Sequence, residues 1–97
     1  MGSNKLPTLI EKRRLTIRNE RGLHARAAAQ FVSIVSAHNA TVTVCKGGQA
    51  VSGESIMGLM MLAATAGSKI DVHVEGPAAK VVAGKLEKLV EKKFGEG

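Results

Sequence analysis

A histidine and an arginine stand two residues apart in the segment Gly-Leu-His-Ala-Arg at 22–26, directly before a stretch with helical periodicity. A neutral imidazole is a nucleophile near neutral pH, so His24 could take a phosphoryl group on a ring nitrogen. Arg26 could offset the charge of that group by a charge-assisted hydrogen bond. The first N–H groups of a helix have no intrahelical partner and would also face the phosphate. From this spacing alone, a histidine that merely begins a helix is the simpler interpretation.

Ser55 is a second candidate because it precedes a short apolar stretch. A serine in that position is typically an N-cap, and a phosphoserine at a helix N-terminus is also tolerated electrostatically, so the two roles are compatible. The flexible apolar side chains after Ser55 are suited either to a docking surface or to the core. We expect some of these four to be buried and at least one to be exposed: Ile56, Met57, Met60 and Met61.

The other reactive residues match no known site pattern. His38 and His73 have no neighbours at metal-ligand spacing, so no metal site is predicted. No Gly-Lys-Ser/Thr follows the glycines at 47, 48 and 53, so a P-loop is not indicated. No cofactor site and no catalytic triad can be identified.

Composition indicates a single domain with an aliphatic core. The chain has 97 residues, of which 44 % are hydrophobic and 2 % aromatic. Its one cysteine, Cys45, excludes an internal disulfide and fits a reducing compartment. No apolar run is long enough to span a membrane, and the N-terminus lacks a signal-peptide core, so we expect a cytoplasmic protein.

The chain is basic, with a formal net charge of +6 and a pI near 9.9. Such a charge can indicate binding to nucleic acid, to an anionic membrane or to an acidic protein partner. The aromatic residues are Phe31 and Phe94, both on predicted apolar helix faces, which leaves nothing to stack on bases. We therefore expect neither nucleic-acid nor membrane binding, and the lysines near the C-terminus are interpreted as a solvated helix face.

Hydrophobic periodicity predicts a strand, a helix, two strands, a helix, a strand and a helix, in that order. The strands are expected around 14–18, at 41–45, 49–52 and 70–75, and the helices at 25–37, 55–64 and 77–94. Residues 1–12 show no clear period and are predicted to be a flexible extension before a folded domain at 13–97. One apolar face on each element favours an α+β fold, with all three helices on one face of an antiparallel or mixed four-stranded sheet.

Two segments together resemble the HPr family, the histidine-containing phosphocarriers of the bacterial phosphotransferase system. They are Gly-Leu-His-Ala-Arg at 22–26 and Gly-Glu-Ser-Ile-Met-Gly-Leu-Met at 53–60, in the family's order and separation. The resemblance covers about Arg13 to Phe94. It implies an open-faced β-sandwich and a carrier rather than an enzyme. His24 would accept phosphate on its δ1 nitrogen from Enzyme I and pass it to an EIIA-type protein.

The resemblance also implies roles for the other candidates. Arg26 corresponds to the active-site arginine, and Ser55 to the regulatory serine phosphorylated by HPr kinase/phosphorylase in bacteria that have that enzyme. A monomer is expected. The partner-docking surface would comprise Ala25, Ile56, Met57 and Met60.

The chain departs from the family at Ala27, where a proline is usual. Alanine does not fix φ, so the first helical turn is expected to be less rigid, with phosphotransfer preserved. The Ala-rich stretch 25–29 and the Lys-Phe-Gly-Glu ending at 93–96 are similar to the nitrogen-related branch, which acts in regulation. The alternative is a regulatory interaction protein that is switched at Ser55 without phosphorelay. The intact His24 argues against that as the sole role.

Overall fold

One antiparallel sheet and three helices make up the fold in the computed structural model, which describes residues 9–96. The elements are β1 (Ile10–Thr16), α1 (Ala25–Ser36), β2 (Thr41–Lys46), β3 (Gln49–Ser52), α2 (Ile56–Met61), β4 (Lys69–Glu75) and α3 (Ala79–Glu91), followed by a short C-terminal turn (Lys93–Gly95). The strand order is β1-β4-β2-β3, and each neighbouring pair is antiparallel. The predicted α+β open-faced sandwich is confirmed. None of the helices within 9–96 has the length and hydropathy needed to cross a membrane.

The core lies between the sheet and the helices and, apart from two phenylalanines, is aliphatic, as the composition predicts. Alternate residues of the two central strands face it, with Val44 in β2 and Val72 in β4 fully buried. Phe31 of α1 is also fully buried, and Phe94 is 2 % exposed. The alternation of valines and the i, i+3, i+4 spacing in α1 therefore identified the inward faces correctly.

β1 begins at Ile10, three residues before the predicted start of the folded domain at 13. Its first half pairs with β4, with Ile10 opposite Glu75. This part of the strand lacks apolar alternation: charged Glu11 and Arg13 occupy one side of it and form an ion pair at 2.9 Å. Backbone pairing, and not an apolar pattern, extends the strand. The remainder of the predicted extension, residues 1–8, lies outside the described residues.

α2 ends at Met61, three residues before the predicted end at Ala64. Ala63 adopts a left-handed conformation with φ of 51°, which turns the chain out of the helix. The turn brings the Ala64 carbonyl to the Leu23 N–H, which donates to it at 3.0 Å. This long-range bond takes precedence over local helix propensity.

α3 begins at Ala79 and not at Pro77, where its first turn was predicted. Pro77 lies in a turn instead, because the Ala78 N–H donates to the Asn39 carbonyl at 3.1 Å and the Ala79 N–H to the Gly76 carbonyl at 3.1 Å. At the other end, Phe94 is buried as expected. It belongs to the C-terminal turn and not to the helix.

Candidate functional site

His24 is the N-cap of α1. Its backbone is extended, with φ of −74° and ψ of 176°, and its Nδ1 accepts a hydrogen bond from the Arg26 N–H at 3.2 Å. Its carbonyl accepts the Ala28 N–H at 2.9 Å, the first regular bond of the helix. The imidazole therefore occupies the position usually taken by a serine or aspartate side chain. It is 14 % exposed, so part of the ring reaches solvent.

Gly22 sets the entry into this cap. Its φ is +67°, and an added Cβ would lie 2.3 Å from the Ala64 carbonyl oxygen. Its own carbonyl accepts the His24 N–H at 2.9 Å. Leu23, between them, is buried and bonded to Ala64. A glycine is required here because both the backbone conformation and the close approach exclude a side chain.

Glu96 contacts His24 directly, which the sequence did not predict. Its Oε2 lies 2.5 Å from His24 Nε2, and its Oε1 accepts a hydrogen bond from Asn19 Nδ2 at 3.2 Å. The bond to His24 is the main cause that holds the pKa of Glu96 below its ordinary value, and the bond from Asn19 adds to it against the opposing effect of desolvation. The carboxylate is therefore stabilised in its ionised form beside the ring.

Three consecutive left-handed residues bring Glu96 back to α1. Lys93, Phe94 and Gly95 have φ values of 56°, 55° and 79°. A left-handed conformation costs roughly 1–2 kcal/mol for a residue other than glycine. Burial of a phenylalanine contributes about 1.5–3 kcal/mol, so the Phe94 side chain offsets much of this strain. Gly95 after a helix is a recognised stop signal, but it does not indicate the direction of the chain beyond it.

A cavity of about 400 Å³ opens beside His24. Two arginines line it, Arg21 and Arg26, and neither forms an ion pair within residues 9–96. Sequence reasoning identified Arg26 but missed Arg21, whose proximity depends on the loop before α1. The lining residues are Arg21, His24, Arg26, Gln30, Phe94, Gly95 and Glu96. A cavity with a nucleophilic nitrogen, two free cations and a helix N-terminus is suited to a phosphoryl group.

A family model described as "PTS HPr component phosphorylation site" matches residues 11–92. The chain belongs to the HPr family. The HPr resemblance suggested by the two motifs is confirmed, and with it the phosphocarrier class of the phosphotransferase system. Glu96 and the C-terminal turn lie beyond the matched residues.

Individual members of the HPr family show the same similarity. A phosphocarrier protein HPr from Cupriavidus necator is 38 % identical over 86 residues, which span 89 % of this chain and 97 % of that protein. A crystal structure of HPr from Thermoanaerobacter tengcongensis superposes with a TM-score of 0.86 at 36 % identity, covering 90 % of this chain and 98 % of the other. A second structure of HPr from that organism, described as a dimer, has a TM-score of 0.71 at 33 % identity and covers 99 % and 100 %.

Ser55, the residue in the second HPr-like motif, is the N-cap of α2. Its Oγ accepts the Gly58 N–H at 2.9 Å, and its carbonyl accepts the Leu59 N–H at 3.0 Å. The predicted cap is therefore confirmed. Ser55 does not line the cavity beside His24, so the two predicted phosphorylation sites are separate.

The four apolar residues predicted after Ser55 to share docking and core roles are all exposed. Ile56 and Met60 are each 40 % exposed, Met57 is 70 % and Met61 is 67 %. The expectation that some of these four would be buried is wrong. Leu59 and Leu62, three residues apart, fill the core instead. Ala25, the remaining predicted docking residue, is exposed in the first turn of α1, which packs against α2.

The other histidines do not reach the cavity. His38 bonds through Nδ1 to the Ile34 carbonyl at 2.8 Å and through Nε2 to Lys85 Nζ at 3.0 Å. His73 is exposed on β4. Within residues 9–96, no three His, Cys, Asp or Glu side chains come together in an arrangement that could hold a metal ion.

Proposed function

We propose that this chain relays phosphoryl groups through His24, accepting them from Enzyme I and passing them to an EIIA-type protein. The observation that carries the proposal is the position of His24. It caps α1, accepts the Arg26 N–H on Nδ1, and lines one cavity with Arg21 and Arg26. These cations and the helix dipole favour negative charge at that point, the dipole by roughly 0.3–1 kcal/mol. Modest stabilisation suits a carrier because the phosphate must leave again.

The relay consists of two successive substitutions at phosphorus. The lone pair of a His24 ring nitrogen forms an N–P bond, while the bond between phosphorus and the donor protein breaks and its electron pair stays with the donor. In the second step, a nucleophile of the EIIA-type protein forms a bond to phosphorus while the N–P bond breaks. The electron pair of the N–P bond returns to the ring nitrogen. The chain is restored after each cycle, so it acts as a carrier and not as an enzyme. No cofactor is part of this scheme.

The exposed apolar residues of α2 supply a docking surface for both partners. We define the apolar patch as Ile56, Met57, Met60 and Met61. Contiguous exposed apolar side chains commonly mark interaction sites, and methionine adapts to different partners. Ala25, exposed next to His24 in the first turn of α1, is proposed to belong to the same docking surface, since α1 packs against α2. The net charge of +6 favours acidic partner surfaces around it.

Phosphorylation of Ser55 would regulate docking. A phosphoserine adds about two negative charges, which the N-terminus of α2 tolerates, at the start of the helix that carries the patch. In a bacterium with HPr kinase/phosphorylase this would change partner binding without touching His24. A purely regulatory protein, switched at Ser55 alone, would instead retain every function after His24→Ala. The Ala-rich stretch 25–29 supports a regulatory setting of the nitrogen-related kind.

The chain is expected to act as a monomer in the cytoplasm. The dimer described for HPr from Thermoanaerobacter tengcongensis makes a second copy of this chain the alternative. Sedimentation at several concentrations separates the two: a constant monomer mass supports the proposal, and a dimer mass at working concentrations contradicts it.

Onward transfer is tested by mixing the phosphorylated chain with an EIIA-type protein and following the label. We expect the label to move to EIIA. The docking surface is tested separately, by the rate at which Enzyme I phosphorylates the chain. Met57→Glu should slow this phosphorylation about 10-fold or more, because it places a charge in the apolar patch. Val81→Glu is the matched control, because Val81 is 52 % exposed on α3 and outside the patch. Its rate should equal that of the wild type. Label that stays on the chain in the presence of EIIA would contradict the relay.

A further inference from the structure

We propose that the groove between α1 and α3 is a second docking site, which binds an acidic segment of a partner protein through an aliphatic side chain and surrounding carboxylates. This site is separate from the apolar patch on α2. It goes beyond the relay through His24 and does not depend on it.

The groove has an apolar surface and a volume of about 530 Å³. Ile34 of α1 and Leu89 of α3 pack against the core and remain partly exposed, so an aliphatic side chain of a partner can bury area against them. Gln30 and Ser33 add an amide and a hydroxyl that can pair with the backbone of an incoming segment. The lining residues are Arg26, Ala29, Gln30, Ser33, Ile34 and Leu89.

The lysines of the second half of α3 lie on the side of that helix that faces the groove. Lys85, Leu89 and Lys92 follow the i, i+4, i+7 spacing of one helical face. Lys85 Nζ donates to His38 Nε2 at 3.0 Å, just beyond the C-terminal end of α1, so this face is turned toward α1. Lys88 is three residues from Lys85 and four from Lys92, and all three lysines are exposed.

The carboxylates of α3 lie on its other side. Glu87 Oε1 is 3.5 Å from Arg13 Nε in β1, and Glu91 follows one turn later. On the α1 side, the sequence contains no Asp or Glu from residue 21 to residue 53. The three lysines form no ion pair within residues 9–96. The groove is therefore bordered by cations whose charge no ion pair offsets.

This combination favours an acidic protein segment over a nucleic acid. Cations beside an apolar groove are complementary to carboxylates that flank an aliphatic side chain. The lysines would also attract the phosphates of a nucleic acid. Its bases would have nothing to stack on, because none of the six lining residues is aromatic.

The site is tested by NMR titration of the 15N-labelled chain at low ionic strength with a synthetic peptide of sequence Glu-Glu-Leu-Leu-Glu-Glu, blocked at both ends. We expect saturable shifts of the backbone amides of Ser33, Ile34 and Leu89, and none in the apolar patch. A peptide with serines in place of the leucines has the same charge and should bind about 5-fold more weakly or less, because it lacks the aliphatic contact. Equal binding of the two peptides, shifts confined to the apolar patch, or no shifts at all would overturn the proposal.

The part played by the lysines is tested with two variants of equal charge. Lys88→Glu should weaken binding of the leucine peptide about 5-fold or more, because it reverses a charge beside the groove. Lys80→Glu is the matched control and should bind as tightly as the wild type, since Lys80 is exposed seven residues before Glu87, on the same side of α3. Equal weakening in both variants would show that net charge, and not the groove, attracts the peptide, and would overturn the proposal.

A single-stranded oligonucleotide is the competing probe. If it shifts the groove amides at a lower concentration than the leucine peptide does, the groove is a nucleic-acid site and the proposal is wrong. All of these titrations are made without Enzyme I. A failure of the relay therefore leaves their outcome unchanged, and a failure of peptide binding leaves the relay unaffected.

Discussion

The Nε2 of His24 lies 2.5 Å from the Oε2 of Glu96, although 72 positions separate the two residues in the chain. The contact joins the N-terminus of α1 to the residue that follows the C-terminal turn. Both residues line the cavity that contains Arg21 and Arg26. The geometry of the candidate phosphoryl site therefore depends on the end of the chain as well as on the histidine motif.

The stability that Glu96 provides should depend on pH. The bond to His24 holds the pKa of Glu96 below its ordinary value of 4.5, so ionised Glu96 favours the folded state. Its contribution is present above pH 4.5 and is lost as the pH falls through the lowered pKa of the folded state. We therefore expect wild type to be more stable than Glu96→Gln above pH 4.5, with the difference vanishing at lower pH, in urea unfolding across that range.

The matched control for this pH dependence is the His24→Ala background. Removing the ring removes the main cause of the lowered pKa, so Glu96→Gln should then produce a much smaller pH-dependent difference. If the pH-dependent difference is undiminished in the His24→Ala background, a group other than His24 lowers the pKa of Glu96.

Gly22→Ala should be far more destabilising than Gly48→Ala. Both glycines have positive φ, 67° and 81°, but only at Gly22 would a Cβ meet another atom, the Ala64 oxygen at 2.3 Å. The left-handed backbone alone costs about 1–2 kcal/mol, which is the loss expected for Gly48→Ala. The clash should raise the loss for Gly22→Ala to about 3 kcal/mol or more, measured by urea unfolding. Equal losses would mean that the Ala64 contact is unimportant.

Ala27→Pro should be tolerated, whereas Ala29→Pro should not. The Ala27 N–H, in the first turn of α1, donates to no acceptor within residues 9–96, so a proline there removes no hydrogen bond. It should raise stability by about 0.4–1 kcal/mol by restricting the unfolded chain. Ala29 lies one helical turn beyond Ala25, where proline costs about 3 kcal/mol. Thermal unfolding of the two variants measures these changes in stability. A similar loss of stability in both variants would contradict the prediction.

The inward faces and the histidine motif could be predicted from sequence because they depend on local spacing. Val72 and Val74 alternate in β4, Phe31 and Val35 share one face of α1, and His24 precedes that helix. These patterns follow from the periods of strands and helices alone.

What the sequence did not predict depends on long-range contacts. The left-handed conformation of Phe94 has no signal in its residue type, so Glu96 could not be placed beside His24. Ile56 to Met61 is apolar on every side, apart from Gly58, so its pattern does not identify the buried face. Ile10 joins the sheet through backbone bonds to β4, which leave no mark on side-chain polarity.

The relay through His24 is tested most directly by incubating the chain with Enzyme I and phosphoenolpyruvate and measuring the bound phosphate. His38→Ala and His73→Ala serve as controls, because both histidines lie outside the cavity. We predict an acid-labile, alkali-stable phosphoryl group on the wild type and on both controls, and none on His24→Ala. Phosphate on His24→Ala, or its absence from the wild type, would contradict the account.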